Sequence, residues 1–140
     1  MAYATLQDLI DRNGEAELIQ LSDRAEPPAG EVDAAIVDKA LADAGEVVDG
    51  YLQGRYRLPL DPVPAMLTHL ACDLARYRLH GDLVTEKVKE NHAAALKTLR
   101  EIATGVIRLQ AAGVEAAAGA AGVLSVAPER VFTADALKGF

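Results

Sequence analysis

The chain has 140 residues, 51% of them hydrophobic but only 4% aromatic, with no tryptophan, one cysteine and a formal net charge of −7. A core must therefore be built from Leu, Val, Ile and Ala, which favours helices over a β-sandwich, and one domain of ordinary size is expected. The lone Cys72 excludes an internal disulfide and a thiolate zinc cluster, and the acidic balance makes a poor free-standing binder of phosphate backbones.

No apolar run approaches a membrane span, and "MAYATLQDLI" lacks the basic start and apolar centre of a signal peptide, so a cytoplasmic protein is expected. In "ATLQDLIDRNG", Thr5 reads as an N-cap with Asp8 in the first turn, Leu6, Leu9 and Ile10 as one face, and Gly14 as the stop. "EAELIQLSD" adds a turn or two, and "RAEPPAGEVD" breaks the helix with two prolines and a glycine. From Asp33 to Tyr56 a long helix is predicted, with Ile36, Ala40, Ala44, Val47, Val48, Tyr51 and Arg55 recurring at spacings of three and four. Its Gly45, Gly50 and Gly54 suggest close approach of a neighbouring backbone.

"RLPLDPVP" then forces extended geometry, and a further helix is predicted from Val63 to His80, carrying Met66, Leu67, Leu70, Ala71, Leu74, Tyr77 and Arg78 on one broad stripe. This is the expected central helix, ended by Gly81. Thr85 caps the last one, whose inner face is Val88, His92, Leu96, Leu99, Ile102 and Ala103, with Gly105 as stop. Short loops between long helices favour antiparallel neighbours. "VIRLQ" is compatible with a short strand. Residues 111–122, "AAGVEAAAGAAG", read as a flexible linker, and 123–140 as an extended apolar tail with Val131, Phe132, Leu137 and Phe140. The expectation is all-α: a compact antiparallel helical bundle over 1–110, then linker and docking tail.

The candidate sites are few. His69 and Asp73, one turn apart, could form an acid/base dyad or hold a metal, but no third ligand shares their spacing, and an ordinary helix-face pair is the better reading. Nucleophile elbow, P-loop and dinucleotide patterns are missing, so no catalytic, cofactor or metal residues are expected, and Cys72 reads as a buried thiol. Arg55, Arg57, Arg76 and Arg78 interleave with Tyr51, Tyr56 and Tyr77, as in single-strand nucleic-acid binders. The competing and preferred reading is a helix corner in which the tyrosines plug the bundle and the arginines are paired. Tyr51, Arg55, Tyr56, Asp73, Arg76 and Tyr77 then form a structural lock with Asp73 as its acid. Charge is unevenly spread: residues 1–50 hold twelve acids against three bases, and residues 51–110 hold six acids against nine bases. An acidic face on one copy can meet a basic face on another.

The elements "YATLQDLIDRNGEAELIQLSDR", "ALADAGEVVDGYLQGRYRLPLDPVP", "LACDLARYRLHGD" and "RVFTADALKGF" together resemble a Mu-like prophage family long catalogued as a domain of unknown function, whose members look like small head-to-tail joining proteins of tailed phages. The resemblance implies a non-enzymatic virion structural protein without cofactor, akin to adaptors of the head–tail connector. Such a protein forms a homo-oligomeric ring on the portal, meets a tail-side completion protein, and is found in the virion and, during assembly, in the host cytoplasm. Neither a membrane nor a specific nucleic-acid sequence is an expected partner. Arg130, Val131, Phe132, Leu137 and Phe140 are the expected partner-docking tail. The alternative is a prophage-encoded helical nucleic-acid-binding or regulatory module.

Overall fold

Thr5 starts the first helix as its spacing requires: its Oγ1 accepts from the Asp8 amide at 3.1 Å, while the Asp8 carboxylate accepts from the Thr5 amide at 2.8 Å. In the computed structural model, which describes residues 2–109, this opens α1 (Leu6–Asn13), followed by α2 (Glu15–Ser22), α3 (Ala34–Leu52), α4 (Ala65–His80) and α5 (Glu86–Ala103). Gly14, at φ 92°, ends α1 and begins α2, so one residue of positive φ makes the corner between them. No strand occurs among the described residues, and 106–109 of "VIRLQ" form none. The Leu109 amide donates instead to the Tyr56 hydroxyl at 3.2 Å.

The proline-rich loop before α3 is held by two side chains. Asp23 accepts from the amides of Gly30 (2.7 Å), Ala29 (3.1 Å) and Ala25 (3.4 Å), and these bonds lower its pKa, outweighing the opposing effect of desolvation. Ser22, fully buried, donates to the Leu18 carbonyl at 2.7 Å and accepts from the Asp33 amide at 2.9 Å, tying the end of α2 to the cap of α3. Asp33 then accepts from the amides of Ala35 and Ile36.

The predicted long helix stops at Leu52 rather than Tyr56, because Arg55 and Tyr56 both donate back to the Leu52 carbonyl and close a final turn ahead of the prolines. Close backbone approach does not explain two of its glycines. A Cβ at Gly50 or at Gly54 would meet no atom within 4 Å, and both residues are exposed, whereas Gly45 is buried.

Helices α3 and α4 share the centre, each touching the other four, with α1 and α2 on one side of the pair and α5 on the other. Leu67, Leu70, Ala71, Cys72, Leu74, Ala75 and Leu79 are buried on α4, facing Val37, Val48 and Leu52 of α3, Leu9 and Leu18 of α1 and α2, and Leu99 and Ile102 of α5. The buried stripe is rotated from the predicted one: Met66 is 41% exposed and Arg78 is also exposed.

Three contacts set the direction of the helices. Asp43 on α3 meets Arg78 on α4, Tyr77 on α4 stacks on His92 of α5, and Arg55 beyond α3 lies against Gly105 beyond α5. Helix α4 thus runs antiparallel to both neighbours, and α3 and α5 run parallel.

Candidate functional site

The corner between α3 and α4 carries Tyr51, Arg55 and Tyr56 where the chain leaves α3. Tyr56 is 1% exposed, and its ring fills the core where the chain turns out of α3, while its hydroxyl receives the Leu109 amide. Tyr51 is half-buried against the core. Arg55 places its guanidinium beside Gly105 at the C-terminal end of α5, where the helix dipole favours a cation.

The arginine–carboxylate ties differ from the lock expected through Asp73. Arg76 pairs with Glu17 of α2, with Nε to Oε2 at 2.7 Å and Nη2 to Oε1 at 2.8 Å, a two-pronged geometry between part-buried side chains. Asp73 instead meets Arg12 of α1 at 3.4 Å. Arg76, three residues along the same helix, still acts on Asp73 as a nearby charge, but it is Glu17, arriving from α2, that aligns both carboxylate oxygens with the guanidinium. Burial raises the pKa of Asp73, with Arg12 opposing it. Arg78 reaches Asp43 at 3.7 Å from an exposed position. Of the four interleaved arginines, Arg57 is exposed.

The aromatic faces are also engaged. Tyr77 lies flat on His92, ring centroids 3.8 Å apart and planes 12° from parallel. Burial, with Arg78 nearby, lowers the His92 pKa, so the neutral ring is the favoured form. Val47, Leu74, Leu96 and this pair line a cleft of about 500 Å³ between α3, α4 and α5. His69 is exposed on α4 beside Asp73, and no group of three His, Cys, Asp or Glu among the described residues could hold a metal ion. Cys72 is buried, which pushes its thiol up to about 11.

A further tie had no signal in the sequence pattern. Tyr3 is 4% exposed; its hydroxyl donates to the Asp49 carboxylate and its carbonyl accepts from the Thr68 hydroxyl at 2.8 Å, stitching the N-terminus to α3 and α4. Its phenol pKa is raised by burial and by Asp49. Tyr51, Arg55 and Tyr56 sit where α3 ends, whereas Arg76 and Tyr77 sit toward the far end of α4, and the ties are separate: Tyr56 to Leu109 beyond α5, Arg76 to Glu17 of α2, and Tyr77 to His92 of α5.

Over the described residues the fold is a small all-helical bundle fastened by polar ties between its helices. The chain belongs to the family described as Bacteriophage Mu, Gp36, whose model matches residues 3–127. It is 37% identical over 107 residues to the Mu-like prophage FluMu protein gp36 of Haemophilus influenzae, an alignment covering 76% of this chain and 74% of that protein. It is also 34% identical over 105 residues to gene product J of Escherichia phage Mu, covering 75% and 74%. It is therefore a phage protein of the Mu-like kind. Among its described residues no helix is long and apolar enough to cross a membrane. The linker at 111–122 and the tail residues Arg130, Val131, Phe132, Leu137 and Phe140 lie outside the described residues, and those five tail residues also lie beyond the family match.

Proposed function

We propose that the chain is a non-enzymatic virion structural protein, a head–tail connector adaptor that assembles as a ring on the portal and joins head to tail. The observation that carries this reading is membership of a Mu phage family across the whole bundle. A second feature supports it: Tyr56, Tyr77 and Arg76 are used in internal ties, leaving exposed charge as the means of meeting other chains. That charge is divided, acidic through residue 50 and basic over 51–110, as a contact between unlike faces needs. The portal and a tail-side completion protein are the partners, with Arg130, Val131, Phe132, Leu137 and Phe140 as the docking tail.

An in vitro complementation tests this. Heads and tails from a phage lacking the protein are mixed with the purified chain, and infectious particles are counted. Restored titre is expected, as is loss of joining, with unchanged helical circular dichroism, after truncation beyond Gly122. No restoration, together with salt-sensitive binding of DNA, would favour the nucleic-acid module instead.

A further inference from the structure

Two exposed helix faces carry matched rows. On α3, Asp38, Ala42 and Glu46 follow one another at intervals of four, all exposed. On α5, Lys89, Ala93 and Lys97 do the same. Each row places two like charges ~12 Å apart with an alanine midway, since eight residues of helix rise that far. The two rows are opposite in sign, and among the described residues none of these four charged side chains forms an ion pair within the chain.

The rows also lie at one level along the bundle. Arg55 lies against Gly105, fifty positions on, and Val47 lines one cleft with Leu96, forty-nine positions on, so parallel α3 and α5 are in register at an offset of about fifty. Asp38 and Lys89, Ala42 and Ala93, and Glu46 and Lys97 are each fifty-one apart. A neighbouring copy related by rotation about an axis along these helices, with no shift along it, therefore brings Asp38 to Lys89 and Glu46 to Lys97. The alanines lie between, where small side chains let helix axes approach to about 8–10 Å. Such a contact joins unlike faces, and the absence of axial rise is what closes it into a ring rather than a filament.

We infer that the exposed Asp38–Ala42–Glu46 face of α3 docks on the exposed Lys89–Ala93–Lys97 face of α5 in a second copy of this chain. This rests on the ring reading above and names its subunit contact. Four variants test it by sedimentation at low and high salt: Asp38→Lys with Glu46→Lys, Lys89→Glu with Lys97→Glu, all four changes together, and Ala42→Cys with Ala93→Cys. Circular dichroism confirms that each is folded. Each charge-reversed double should raise the concentration for half-association by on the order of tenfold at low salt, since two attractive pairs become repulsive. The fourfold variant should return to within about threefold of the unaltered protein. Under oxidation the cysteine variant should give a ladder of cross-linked species, while the unaltered protein, whose Cys72 is buried, gives none. Folded doubles that assemble normally, a fourfold variant that does not recover, or no ladder at any concentration would overturn the contact. Rings that persist in the doubles would overturn this contact and leave the adaptor reading standing. Charge-dependent assembly without restored infectivity would do the reverse.

Discussion

Removing the carboxylate of Glu17 should damage the fold more than removing that of Asp73. The Glu17–Arg76 pair has two charge-assisted bonds of 2.7 and 2.8 Å between side chains 26% and 21% exposed. Exposed pairs contribute about 0.2–1 kcal/mol and breaking a fully buried pair costs about 3–5 kcal/mol, so this intermediate case should lose about 1–2 kcal/mol in Glu17→Ala or Arg76→Ala. Asp73 sits at 3.4 Å from an Arg12 side chain that is 35% exposed, and burial already disfavours its ionised form; Asp73→Ala should cost under about 1 kcal/mol. Thermal unfolding by circular dichroism reads the difference, because a loss of 1 kcal/mol in a domain near this size lowers Tm by about 4–8 °C. A double-mutant cycle isolates the Glu17–Arg76 coupling, expected at about 1–2 kcal/mol. An additive cycle, or a larger fall in Tm for Asp73→Ala than for Glu17→Ala, would refute the assignment of the lock to Glu17.

Gly105→Ala should destabilise by about 1–3 kcal/mol in urea unfolding, because φ is 88° and the new Cβ would stand 2.5 Å from Arg55 Nη2. Gly50→Ala, on an open helical surface, should instead be neutral or stabilising by up to about 1 kcal/mol. Tyr56→Phe should cost about 1–3 kcal/mol in the same assay, since it strands the buried Leu109 amide. Stability should fall as pH drops below about 6.5: the folded pKa of His92 is lowered, so the unfolded chain takes the proton first. His92→Phe, which keeps a ring against Tyr77, should flatten that part of the pH profile measured by chemical denaturation.

The local signals in the sequence were strong where one residue or one period decides the outcome. Thr5 with Asp8, Asp33, Thr85, Gly14 and Gly105 each act at a helix end through their own backbone or side chain, and they mark the observed ends to within a residue or two. Leu67, Leu70 and Leu74 of α4 were legible as core from their spacing, whereas Leu79, also buried, lay off the predicted stripe. The partners of the arginines were not legible, because an ion pair between helices depends on how α1 and α2 lie across α4, and their short apolar patterns carry no information about that. Glu17 and Arg12 belong to no motif or spacing that would single them out as partners of α4. Tyr3, ahead of the first helix, had no period to announce its burial. The matched rows on α3 and α5 needed the register between two parallel helices, which the contact of Arg55 with Gly105 and the shared cleft of Val47 and Leu96 provide.

Electron microscopy of the purified protein, alone and mixed with its cognate portal, tests the adaptor reading most directly. A closed ring coaxial with the portal is expected, with α3 of each subunit against α5 of the next. Particles that remain monomeric beside a bare portal ring at concentrations well above those of assembly would contradict it.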